Sequence, residues 1–117
     1  MTHEEKKVAK IVEELTLFFF AIGADRMESG ISRKDNRVII TFEANYQSEY
    51  EDRIHSLEKY MNEPKNEGFE DIYWELAGSG DPGESTQLIL LGMMIDRYEI
   101  KRYEQEVELI LYKEIPV

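Results

Sequence analysis

Residues 24 to 45 read ADRMESGISRKDNRVIITFEAN, and this stretch decides the fold class. Val38, Ile40 and Phe42 alternate with polar or outward positions, the period of two that marks a half-buried strand. Met27 and Ile31 lead toward Lys34-Asp35-Asn36, where Asp35 and Asn36 suit a tight turn because both tolerate left-handed backbone. The stretch predicts a hairpin with strands near residues 25–33 and 37–44. A second alternating pair lies near the C-terminus, in YEIKRYEQEVELILYKEI. Tyr98 and Ile100 alternate in one half, Val107, Leu109 and Leu111 in the other, predicting strands near 97–103 and 106–113.

The segments between and before these hairpins have helical spacing. Val8, Ile11, Val12, Leu15 and Phe19 recur on one helix face up to Gly23, with Thr2 as the expected N-cap and Glu4 and Glu5 at the positive end of the dipole. Ser48 and Glu51 have the spacing of a capping box, opening a helix with Tyr50, Ile54, Leu57 and Met61 on one face; Pro64 and Gly68 end it. Phe69, Ile72, Tyr73 and Leu76 suggest a short third helix, and STQLILLGMMI a fourth, with the loop GSGDPGES between them. The expected order is α-β-β-α-α-α-β-β. It describes an α+β two-layer sandwich, in which helices cover one face of a single, mainly antiparallel four-stranded sheet.

At 117 residues the chain is expected to form one domain, residues 1–117, with 42% apolar residues to build a core. No stretch approaches the roughly 20 apolar residues of a membrane span, MTHEEKK does not read as a signal peptide, and the expected location is the cytoplasm. A formal net charge of −11, with 14 Lys and Arg scattered among 25 acids, argues against nucleic acid. Ten of those acids fall in residues 43–75 against Arg53, Lys59 and Lys65, the pattern of a solvated helical face or of a docking surface for a basic partner.

The segment Ile11 to Asn45, IVEELTLFFFAIGADRMESGISRKDNRVIITFEAN, resembles the opening of the histidine-kinase-like ATPase domain found in sensor kinases and anti-sigma kinases. In that family a helix with an E-L-x-x-N pattern leads into a hairpin whose second strand ends in an acidic D-x-G motif. A glycine-containing loop, a helix and a closing hairpin follow, as they do here. The resemblance implies a nucleotide site, and the residues at its key positions depart from it. Aligning Glu14 and Leu15 with E-L puts Phe18 where the family's asparagine holds magnesium, and phenylalanine offers no oxygen to a metal that demands octahedral oxygen ligands. Ala44 stands in place of the adenine-binding aspartate, and Tyr46 in place of the following glycine. The triplet Phe18-Phe19-Phe20 then has two compatible readings: plain core, or aromatic filling of a vacated nucleotide pocket.

Other chemistry has little support. Gly78, Gly80 and Gly83 before Ser85 are placed to present backbone N–H groups to a phosphate, at about the position of the family's lid. Yet no Walker-type lysine follows, Asp81 and Glu84 repel anions, and Ser85 serves equally as a helix cap. The two histidines, His3 and His55, have no catalytic spacing to Ser79 or Ser85, and without cysteine no structural zinc site is expected. No catalytic residue, metal or cofactor is assigned.

What remains is surface. If Val107, Leu109 and Leu111 face the helices, Ile110 and Tyr112 occupy the opposite side of the sheet, joined by Ile39, Thr41 and Tyr103. Trp74 lies off its helix stripe and is a second candidate anchor. The expected function is a non-catalytic interaction or regulatory module on an ATPase-like scaffold, binding a protein partner or a second copy of itself. The alternative is a small ATP-binding regulatory kinase of the anti-sigma type. Self-repulsion between acidic copies opposes a homodimer, so salt is expected to favour it.

Overall fold

The computed structural model describes residues 3–62 and 91–115. Helix α1 spans His3–Ala21, β1 Met27–Lys34, β2 Arg37–Asn45, a 3-10 turn Ser48–Tyr50, α2 Glu51–Met61, β3 Arg97–Tyr103 and β4 Glu106–Glu114. Residues 91–94 form a further helical turn. The fold is α+β. The four strands make one antiparallel sheet in the order β1-β2-β4-β3, so the two hairpins meet through β2 and β4 at its centre. Expected and observed strands agree to within two residues at every end.

Alternation decides which side chains the sheet gives to the core. Val38, Ile40, Phe42 and Ala44 on β2, with Val107, Leu109 and Leu111 on β4, are all buried on the helix side. The stripe Val8, Ile11, Leu15, Phe18 and Phe19 of α1 joins them, as do Ile54, Leu57 and Met61 of α2 and Leu91, Met94 and Ile95 from the second described segment. Asp35, with φ 56°, makes the β1–β2 turn, and Gln105, also at φ 56°, the β3–β4 turn.

Helix α1 ends in a Schellman-type cap. The Ala24 N–H donates to Phe19 O at 2.9 Å and the Gly23 N–H to Phe20 O at 3.2 Å. Gly23 has φ +85°, and a Cβ there would lie 2.4 Å from Gln47 Cγ, so glycine is required twice over. Gly92 serves a close approach instead: a Cβ on it would meet Tyr60 O at 2.3 Å, which lets the turn at 91–94 rest directly on α2.

Two sequence expectations change, and one strand residue is unusually exposed. The Ser48–Glu51 capping box does not form: residues 48–50 make the 3-10 turn, α2 begins at Glu51, and Tyr50 at its N-cap makes no side-chain cap hydrogen bond. Glu51 is engaged by Tyr46 and Arg102 across the fold, which draws it away from the helix end. Phe20 is not core; it is 60% exposed, because it lies off the stripe that runs through Leu15, Phe18, Phe19 and Ile22. Ile31 points to the helix side yet is 57% exposed, since β1 is an edge strand that α1 does not fully cover. The Thr2 cap, the helix at 69–76 with Trp74, and the loop with Gly78, Gly80, Gly83 and Ser85 lie outside the described residues, as does the start of the 85–95 helix.

Candidate functional site

The positions that the ATPase resemblance assigns to nucleotide contacts are filled by core. Phe18 is fully buried, its ring 5.1 Å from that of Phe19 in an edge-to-face arrangement, and Phe19 stacks on Phe42 at 5.5 Å. The Arg53 guanidinium of α2 lies 5.6 Å from the Phe18 ring centre. Ala44 and Tyr46 belong to the same buried cluster, at 5% and 2% exposure. These three residues are joined by apolar packing, and none presents an oxygen or nitrogen to a metal or a base except the Tyr46 hydroxyl.

That hydroxyl already has a partner. Tyr46 Oη donates to Glu51, and Glu51 also accepts from Arg102, whose other terminal nitrogen lies 3.8 Å from Glu58. The network ties the end of β2 to α2 and β3. Burial, then the hydrogen bond to the Glu51 carboxylate, push the Tyr46 phenol above its ordinary pKa. Sequence reading missed this group, because strand order rather than spacing brings Arg102, 51 residues along the chain, to the Tyr46–Glu51 pair. Glu14 is the one fully buried acid among the described residues. It is 2% exposed and pairs with Lys10 at 3.1 Å, and its second oxygen has no hydrogen-bond partner among the described residues.

The opposite face of the sheet is uncovered among the described residues and has a defined layout, set by strand register. Five rows cross the strands in turn. Lys34, Arg37 and Glu114 form the first; Ser32, Ile39, Tyr112 and Arg97 the second; Gly30, Thr41, Ile110 and Glu99 the third. The fourth is Glu28, Glu43, Glu108 and Lys101, and the fifth ends in Asn45, Glu106 and Tyr103. Ile39, Ile110 and Tyr112 are half-buried and adjacent; Tyr103 is 56% exposed but stands two rows away, beside a shallow depression lined by Arg26, Glu28, Glu43 and Glu106. The structure thus unites three of the four expected interface residues and separates Tyr103. Arg97 lies over the Tyr112 ring at 4.2 Å and Arg37 approaches it at 5.9 Å.

The fourth row is costly. Glutamates directly opposite one another on adjacent strands repel, and only Lys101, 3.7 Å from Glu108, offsets them in the row. Glu43 at its centre responds: the hydrogen bond shared with Glu108, then some loss of hydration and the charges of Glu108 and Glu28, raise its carboxyl above the ordinary value. A raised carboxyl pKa means the folded state holds a proton more tightly than the unfolded chain. The corresponding stability is present at acid pH and is lost as pH rises through the Glu43 value. Replacing Glu43 by Gln is therefore expected to raise the thermal midpoint at pH 7. The gain should vanish below about pH 4, where glutamate is protonated anyway. Thermal melts of both proteins from pH 3 to 8 check this, and an equal gain at every pH would show that repulsion is not the cause.

Among the described residues no group of three or more His, Asp or Glu side chains is arranged to hold a metal ion, and no helix is long and apolar enough to cross a membrane. Comparison of the chain with protein-family models, with curated proteins and with solved structures finds no match.

Proposed function

We propose that this protein is a non-catalytic interaction or regulatory module, built on a scaffold like the histidine-kinase-type ATPase domain but without its nucleotide site. The observation that carries the reading is the burial of Phe18, Ala44 and Tyr46 in one continuous core. A nucleotide placed against those side chains would have to displace packed rings, at a cost comparable to opening a core cavity. The sheet face left uncovered by the described residues supports the second half of the reading, since Ile39, Ile110 and Tyr112 make an aromatic and aliphatic centre within a charged rim, the anatomy of a protein interface.

ATP with magnesium is expected to leave the thermal midpoint unchanged. A ligand at 100 times its dissociation constant would stabilise the fold by roughly 2.7 kcal/mol, a shift that a dye-based melt resolves easily. A saturable, magnesium-dependent rise would overturn the reading and favour the alternative, an ATP-binding regulatory kinase of the anti-sigma type.

A further inference from the structure

We propose that the open sheet face docks on a second copy of this chain in one defined register, with a two-fold axis that lies in the interface, runs across the strands, and passes between the Ile39–Tyr112 row and the Thr41–Ile110 row. This rests on the reading of that face as a docking surface and names its occupant. Two sheets stacked face to face by a two-fold have the axis in the plane between them, and aligned packing sets it close to the strand direction or close to the perpendicular across the strands. The charge pattern separates the two choices. An axis along the strands, between β2 and β4, keeps each row over itself and lays Glu43 on Glu108 of the second copy, adding repulsion to a row already strained by it.

The axis across the strands does the reverse. Each strand lies over its own counterpart with direction inverted, so a residue one row above the axis meets the residue one row below. Tyr112 then meets Ile110 of the second copy and Ile39 meets Thr41, which joins the apolar rows. On β3, Arg97 meets Glu99. One row further out, Arg37 meets Glu43 and Lys34 meets Glu28, so the cationic end of the face covers the acidic row. Each contact occurs twice by symmetry. The one like-charge meeting, Glu114 with Glu108, is softened within each chain by Arg37 at 2.9 Å and Lys101 at 3.7 Å. A face that matches itself this way favours a second copy over an unrelated partner, for which no such inversion of charge along β1, β2 and β3 is required.

Sedimentation velocity across a concentration series tests the assignment. The wild-type chain is expected to dimerise, more strongly as salt screens the net charge of −11 between copies. Glu43→Arg sets two pairs of arginines against each other across the axis. It should weaken dimerisation about a hundredfold, since like charges brought together across an interface cost several kcal/mol. Within the chain it relieves the glutamate row, so loss of the dimer cannot be attributed to unfolding. Arg37→Glu should weaken association similarly, and the double variant Arg37→Glu with Glu43→Arg should restore it. Ile110→Glu with Tyr112→Glu should abolish the dimer whatever its register. If that pair abolishes the dimer while Glu43→Arg leaves it intact, the face is used but this register is wrong. A chain that is monomeric at every concentration and salt overturns the second copy as occupant. Neither result touches the nucleotide experiment, so the two readings fail separately.

Discussion

Replacing Phe19 by Ala is expected to cost about 3–5 kcal/mol of folding stability, the usual range for removing a fully buried phenylalanine. Phe19 has no exposed surface and bridges two rings, Phe18 edge-on and Phe42 in a stack, so its loss opens a cavity between α1 and β2. Single domains hold only about 5–15 kcal/mol in total, and the variant should stand near the edge of unfolding at ambient temperature. Urea denaturation reads this as a fall in midpoint at unchanged slope. Phe20, one residue on and 60% exposed, provides the control: its replacement by Ala should stay within about 0.5 kcal/mol of wild type. Equal costs at 19 and 20 would contradict the orientation of α1. The pair also separates two sources of the Phe18-Phe19-Phe20 run, because only the first two rings contribute to the core.

The second large effect is expected at Glu4. Its two oxygens lie 3.0 Å from Lys7 Nζ and 3.0 Å from Lys113 Nζ, and both lysines are almost completely buried. Burial pushes the Glu4 carboxyl up, but the hydrogen bonds and charges of Lys113 and Lys7 outweigh it and hold the carboxyl below its ordinary value. A depressed carboxyl contributes stability that is present above the ordinary glutamate pKa and is lost as pH falls through the depressed one. Removing one partner of a buried ion pair costs about 3–5 kcal/mol. Glu4 retains 24% exposure and both lysines have further interactions, so Glu4→Gln is expected to cost about 2 kcal/mol near neutral pH, below that range. The difference should shrink as pH falls from the ordinary glutamate value, about 4, toward the depressed one of the folded state. Urea midpoints measured against pH check both the size and the sign; a cost that persists undiminished at pH 3 would mean that Glu4 acts by packing alone.

Much of the fold was legible because its determinants are local. Val38-Ile40-Phe42 and Val107-Leu109-Leu111 alternate, and the β1–β2 turn has Asp35 in left-handed backbone; period and turn chemistry act over a few residues and need no partner. The same periodicity correctly assigned Ile39, Ile110 and Tyr112 to the open face. The sequence also shows phenylalanine at 18 and alanine at 44, neither of which has a side-chain oxygen or nitrogen to offer a metal or a base. What only the tertiary structure decided depends on which strands become neighbours. Placing β4 beside β2 put Glu108 opposite Glu43 and brought Lys113 to Glu4 at 3.0 Å, and pairing β3 with β4 carried Arg102 to Glu51. Charge energies depend on distance between groups far apart in the chain, and no spacing rule encodes that distance. The capping box failed in part for the same reason: Arg102 of β3, 51 residues away, is one of the two groups that hold Glu51.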